Sequence, residues 1–246
     1  MNSGVLTARM EDVAKKAARA GCAASRFITP AEAAEVGRHF GKLHYVNLAF
    51  DGGFAEAERV RAVFTNPDWG ECRRGELFAV LQIRWNKAYG LAHRDILGAL
   101  MALGIERDTM GDIACEGNRA NLVCLPELGD YVRTSFTKAG RVGVEVSEIG
   151  LDELGAKQES LKLRTDTVAS LRLDAVMCAA FDLSRSQAAE LISAGRVNLD
   201  YAQCLQPARE VGEGALISVR GLGRARLTEV GGTSRKGRIF VQFGLF

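Results

Sequence analysis

The spacing of apolar residues is most regular toward the C-terminal end. Leu173, Val176, Met177 and Ala180 fall at i, i+3, i+4 and i+7, one face of a helix. A second helix is predicted directly after it. Ser184 with Gln187 has capping-box spacing, and Leu183 sits where it can staple against Ala188. Gly195 ends this helix, since a residue without Cβ enters the left-handed conformation at little cost. An extended run follows from Arg196 to Asp200, and strands are predicted at Ala215 to Arg220 and Arg224 to Val230. Arg224 and Arg226 then share a face by the two-residue period. Gly231-Gly232 reads as the opening of a turn that contains Arg235 and Lys236, and Arg238 to Phe243 closes the sheet.

Upstream, residues 73 to about 150 carry another order of elements. Leu77 to Trp85 reads as a strand, and His93 to Gly104 as a helix with Ile96, Leu97, Leu100 and Met101 on one face. Strands at Gly111 to Cys115 and Ala120 to Leu125 flank the Gly117-Asn118 turn. A helix from Glu127 to Ala139 and an alternating strand from Val142 to Ile149 complete βαββαβ, the ferredoxin-like arrangement also used by RNA-recognition motifs. Such motifs stack bases on aromatics of their central strands. The strand Asn121 to Leu125 has none.

Residues 1 to 72 read as a small α-rich region. Helices are predicted over Val5 to Ala24, over Pro30 to Phe40 with Thr29 as cap, and over Ala55 to Arg61, with a strand from Tyr45 to Phe50. The polar stretch 151–167 reads as a linker. The expected fold class is α+β: an α-rich region (1–72), an RRM-like ferredoxin-type domain (73–150), the linker, and a C-terminal module of two helices plus a β-sheet (168–246).

Composition changes this picture in one respect. The 246 residues have a net charge of only +2, but the positive charge is unevenly placed. Up to residue 163 there are 21 bases against 22 acids, and from 164 onward 11 against 8. Within 220–238 Arg220, Arg224, Arg226, Arg235, Lys236 and Arg238 face a single acid, Glu229. No apolar run reaches membrane-spanning length, and the N-terminus lacks the apolar core of a signal peptide, so a cytoplasmic protein is expected. The six cysteines include no C-x-x-C pair and are read as reduced packing residues, with no metal site.

The run Arg172-Leu173-Asp174, then Ser184-Arg185-Ser186-x-Ala188, then Leu191-Ile192-x-x-Gly195-x-Val197 resembles the S4-type RNA-binding domain. Extended to Thr167–Leu171 and Ile217–Arg224, and with G-G-F-x-E-A-E-R at 52–59, it is similar to the YlmH family of bacterial RNA-binding proteins. Two positions depart from that pattern. Asp200 stands where the family usually has Asn, placing a negative charge beside the expected RNA face, and Gly214-Ala215 stands for its Gly-Asp. The resemblance implies binding to the large ribosomal subunit, to ribosomal RNA and to tRNA or peptidyl-tRNA. It further implies a role in ribosome-associated quality control, where a stalled nascent chain is tailed. An association with cell division also attaches to the family.

The expected RNA-contacting residues are Arg172, Ser184, Arg185, Ser186, Gln187, Arg196, Arg220, Arg224, Arg226, Arg235, Lys236 and Arg238. His93-Arg94-Asp95 matches a kinase loop poorly, because no nucleotide-binding glycine loop accompanies it. A pseudouridine synthase, the competing enzyme class, places an R-L-D aspartate in a separate catalytic domain, whereas Asp174 belongs to the helical hairpin itself. A ribosome-assembly protein is the third reading. No catalytic residue and no cofactor are expected, and the free protein is expected to be a monomer.

Overall fold

The computed structural model describes residues 3–54, 57–69, 72–154 and 162–246. Two compact units, residues 1–158 and 159–246, divide the chain. In the first, α1 (Ser3–Ala20) presents Leu6, Met10, Ala14 and Ala17 as one buried stripe. The helix was expected to continue to Ala24. It stops because Gly21 adopts φ +87°, and Cys22–Ile28 becomes a strand, β1. The helix α2 (Pro30–Phe40) starts as expected, with Thr29 and Glu32 exchanging backbone and side-chain hydrogen bonds. The strands β2 (Asn47–Asp51) and β3 (Val60–Thr65) complete a three-stranded sheet in the order β1-β3-β2.

The predicted helix over Ala55 to Arg61 is not formed where it is described; residues 55 and 56 lie outside the described residues. Tertiary partners take its backbone groups. Buried Asp112 accepts the N–H of Glu58 at 2.8 Å and of Arg59 at 3.2 Å. Arg59 donates to the carbonyls of Met110 and Phe27, and Arg61 to those of Ser25, Ala24 and Leu77. The G-G-F motif is part of the same joint. A Cβ at Gly53, which has φ +84°, would lie 2.9 Å from Val123.

Also within this unit, β4 (Ala79–Trp85), α3 (His93–Ala102), β5 (Met110–Glu116), β6 (Arg119–Cys124), α4 (Gly129–Ser135), a short β7 (Lys138–Ala139) and β8 (Val142–Glu148) follow in sequence. Their sheet order, β5-β6-β4-β8-β7, is antiparallel and ferredoxin-like, as the element order predicted. The second helix is shorter than expected, its last residues being taken by β7. One face of the sheet packs Leu81, Ile83 and Leu122 against Ile96, Leu100 and Val132 of the helices. On the other face Val80 and Val123 pack against Phe27, Phe54 and Leu154.

The cysteines correct another expectation. Cys22 and Cys72 are disulfide-bonded, with Cα atoms 5.6 Å apart. Their separation of 50 residues hides the pairing from any spacing pattern. The remaining four cysteines are free.

The second unit opens on β9 (Lys162–Val168), inside the expected linker; residues 155–161 lie outside the described residues. Its polar surface masked a strand that pairs over its whole length with β14 (Ile239–Leu245). Between them come α5 (Leu173–Phe181), α6 (Arg185–Ser193), β10 (Val197–Leu199), β11 (Ala202–Gln203), β12 (Leu216–Val219) and β13 (Gly223–Thr233). The sheet order is β11-β10-β12-β13-β14-β9. Gly231 and Gly232 prolong β13 instead of opening the turn, which lies at Ser234 to Gly237. Leu173, Val176, Met177 and Ala180 pack as one buried stripe on Ala225, Leu227, Val241 and Phe243.

Asp112→Ala should leave the N–H groups of Glu58 and Arg59 without their acceptor and lower the stability of the first unit by about 2 kcal/mol. Urea unfolding followed by Trp fluorescence measures this; an unchanged midpoint would assign the joint to apolar packing alone.

Candidate nucleic-acid interface

Two arginines are organised by one carboxylate at the start of the helical hairpin. Asp174, in the first turn of α5, has a side chain only 10 % exposed. Arg172, the residue before α5, donates to it at 2.9 Å and 3.3 Å, and Arg185, the first residue of α6, lies at 2.7 Å. Both arginines remain about half exposed, at 49 % and 51 %. The chain is pinned at this point, since Leu173 N–H and Asp174 N–H bond the carbonyls of Arg209 and Pro207. Burial alone would raise the Asp174 pKa. The hydrogen bond from Arg172 and the charges of Arg185 and Arg172 outweigh it and hold the carboxyl below its ordinary value.

The capping residues have a structural task. Ser184 N–H donates to Gln187 Oε1 at 2.9 Å, and Gln187 N–H to Ser184 Oγ at 3.3 Å. Ser186 Oγ lies 3.0 Å from Ser184 Oγ. This network fixes the direction in which Arg185 leaves the helix.

Across from α5 and α6, Arg238 donates through Nε to Thr167 Oγ1 at 2.9 Å and also to the Thr167 carbonyl. Arg185 and Arg238 line one cavity of about 210 Å³ together with Asp166, Thr167 and Cys178. Two arginines 53 positions apart in sequence thus border one space, which they share with the carboxylate of Asp166. A second pairing joins the ends of β10 and β12. Arg196 donates to the Arg220 carbonyl at 2.8 Å, and Arg220 N–H to the Arg196 carbonyl at 2.9 Å.

The remaining expected residues are elsewhere. Arg224 and Arg226 pair with Ser218 and Leu216 on β13 and alternate with the core residues Ala225 and Leu227, so they leave by the sheet face opposite the helices. Arg235 and Lys236 are exposed in the β13–β14 turn. Sequence reasoning missed Arg164, which pairs with Asp182 at 2.6 Å at the C-terminus of α5, and Thr167, which orients Arg238. Both lay in the supposed linker.

The ferredoxin-like domain carries different chemistry. On the sheet face away from its helices, the central strands present Val80, Gln82, Arg84, Asn121 and Val123. The two valines are buried, Arg84 bonds Gln82 at 2.5 Å, and Gln82 bonds Asn121 at 3.4 Å. No aromatic occupies these positions, in keeping with the sequence. Asp95, the one carboxylate in a catalytic-looking triplet, accepts the Ala92 N–H at 2.8 Å at the start of α3. Among the described residues no three His, Cys, Asp or Glu side chains gather as a metal site.

Because the folded pKa of Asp174 is depressed, its stabilising effect is present above the ordinary carboxylate pKa and is lost as pH falls through the folded value. Asp174→Asn should therefore destabilise the C-terminal unit at neutral pH, with the gap to wild type closing as pH drops below about 4. Thermal unfolding from pH 7 to pH 2.5 would show this; a pH-independent gap would contradict it.

Three family models match the chain. "YlmH, N-terminal" covers residues 6–69, "Putative RNA-binding domain in YlmH" covers 77–153, and "S4 domain" covers 171–217. The Ribosome-associated protein quality control protein P2 of Bacillus subtilis is 34 % identical over 200 residues, spanning 80 % of this chain and 77 % of that protein. A solved structure, Cell division protein ylmH from Streptococcus pneumoniae, is 23 % identical with a TM-score of 0.48, covering 62 % of this chain and 89 % of that one. With an S4 domain at one end and both other YlmH segments matched in order, the chain belongs to the YlmH family.

Proposed function

We propose that this protein binds RNA on the large ribosomal subunit, contacting ribosomal RNA and tRNA or peptidyl-tRNA, and serves ribosome-associated quality control in the cytoplasm. The observation that carries the reading is the grouping of oriented, half-exposed arginines on the S4-type unit: Arg172 and Arg185 about Asp174, with Arg238 across a shared cavity. Guanidinium groups fixed by a carboxylate or hydroxyl lose little freedom on meeting phosphate. The named role of the Bacillus subtilis relative supports the ribosomal setting. Among the described residues no helix is long and apolar enough to cross a membrane.

Within this reading Arg172, Arg185 and Arg238 meet phosphates, together with Arg196, Arg220, Arg235 and Lys236. Ser184 and Gln187 act by holding the hairpin, and Ser186 is placed to add a hydroxyl contact. A binding factor fits the carboxylates better than a pseudouridine synthase does. Asp174 is already engaged by two arginines, and Asp95 accepts a backbone N–H at a helix start. The protein acts as a monomer when free, with domain boundaries at about residues 72, 150 and 167; the two compact units, 1–158 and 159–246, group the first two of these regions together.

Arg185→Ala with Arg196→Ala should weaken co-sedimentation with large ribosomal subunits by about 1 to 3 kcal/mol and lower the melting temperature, because Asp174 loses one of its two arginines, while the circular dichroism well below that temperature stays that of the folded protein. Full binding by the folded double variant would remove the hairpin from the interface.

A further inference from the structure

The connection between the N-terminal sheet and the ferredoxin-like sheet carries a group that RNA binding does not use. It runs from Asn66 to Phe78, with residues 70 and 71 outside the described residues. Cys72 lies on it and is bonded to Cys22, the first residue of β1. Weaker ties bracket this disulfide. On one side the Asn66 N–H bonds the Gly21 carbonyl at 2.8 Å and the Asn66 side chain bonds the Ala18 carbonyl at 2.9 Å. The Trp69 ring lies against Gly21, where a Cβ would come within 2.9 Å of it. On the other side Arg74 meets both carboxylate oxygens of Asp51, at 2.5 and 2.9 Å, and donates to the Gly53 carbonyl. These ties keep Cys72 near β1 whether or not the sulfurs are joined.

Both cysteines are half-buried and border one cleft of about 770 Å³ that opens to solvent. Lys16, Arg61 and Arg73 line it together with Glu76 and Glu127, so charges of both signs are present. A small thiol can therefore reach the sulfurs. The thiols elsewhere are less suited to exchange, because the thiolate is the reacting form. Burial pushes Cys115 and Cys178 above the ordinary thiol range and Cys124 up to about 12. In a reducing compartment an accessible disulfide exchanges with the thiol pool, and disulfides found there are as a rule transient or redox-sensing.

We propose that Cys22 and Cys72 form a reversible clasp, a thiol-exchange site for a low-molecular-weight thiol of the glutathione class, whose state sets how firmly the first unit is closed. Opening takes two steps. A small thiolate, RS⁻, attacks one sulfur, the S–S bond breaks, and the other cysteine leaves as thiolate, giving a mixed disulfide. A second RS⁻ attacks the small-thiol sulfur of that mixed disulfide, releasing RSSR and the second cysteine thiolate. The two cysteine thiolates take up the protons that the two small thiols gave. Two RSH have thus supplied two electrons, and closing is the reverse, with RSSR as the oxidant. The inference goes beyond RNA binding and rests only on the cytoplasmic setting proposed above.

The test equilibrates the full chain in a series of millimolar buffers of reduced and oxidised glutathione. Free thiols are alkylated and mapped by mass spectrometry, and melting is followed by circular dichroism. Cys22 and Cys72 should pass together from disulfide to thiol within the series, and the melting temperature of the first unit should fall by about 5 to 15 °C. Trp69 emission should change on opening, and Trp69→Phe should remove that change. Cys72→Ser should melt like the open wild type in every buffer, with one glutathionyl group on Cys22 in the oxidising ones. A disulfide that stays shut in the most reducing buffer overturns the proposal, as does a pair that stays open in the most oxidising one. Complete exchange with an unchanged melting temperature also overturns it. These wild-type measurements decide the matter even if Cys72→Ser does not fold. Co-sedimentation with large ribosomal subunits, read on the same samples, tests the RNA-binding reading separately.

Discussion

The S4-type unit depends on one nearly buried carboxylate. Asp174 pays for its desolvation only because Arg172 and Arg185 both reach it, and this fixes how the residue before α5 and the first residue of α6 face the outside. Removing either arginine would leave a poorly compensated charge, while removing the aspartate would free two guanidinium groups to wander. The carboxylate therefore joins fold to function: the contact that closes the hairpin also aims its cations. Backbone bonds from Leu173 and Asp174 to the 207–209 segment keep that corner in place.

Arginine serves the two units in opposite ways. In the first, Arg59, Arg61 and Arg107 are turned inward onto main-chain carbonyls. Burial is the main cause that lowers their pKa values, with Arg107 brought down to about 10 and its neighbour Arg59 adding repulsion. Arg59 and Arg61 fasten the N-terminal sheet to the ferredoxin-like part, Arg107 closes the turn into β5 on Met110 and Gly111, and all three have little left to offer a ligand. In the second unit the cations stay at the surface, where hydrogen bonds to Asp174 and Asp182 raise the pKa values of Arg172 and Arg164. Charge count alone would not separate these uses.

Periodicity was most legible where a segment's partners are close in sequence. The α5 stripe, the Ser184 and Thr29 caps, the Gly195 stop and the βαββαβ order all follow from local spacing, and the structure has them. Long-range partners account for the failures. The stretch before Val60 looks helical until Asp112, more than fifty residues away, takes its N–H groups. Lys162–Val168 looks like a linker because its apolar content is low, yet β14 supplies a complete set of pairing partners. Cys22 and Cys72 meet only in three dimensions. Of the candidate site, the hairpin arginines were visible as a motif; the convergence of Arg185 with Arg238, and the placing of Arg224 and Arg226 on the other side of the sheet from them, required the fold.

The central claim is that RNA attraction resides in the S4-type unit. Residues 159–246 hold 12 Lys and Arg against 9 Asp and Glu, and residues 1–158 hold 20 against 21. The most direct measurement is the salt dependence of binding to large-subunit RNA for each of these two fragments, by anisotropy from about 50 to 200 mM salt. If roughly five cations neutralise phosphates, the C-terminal fragment binds alone with a log-log slope of about 3 to 5 in magnitude, losing on the order of a hundredfold in affinity. A steeper slope for residues 1–158, with little binding by residues 159–246, would contradict the account.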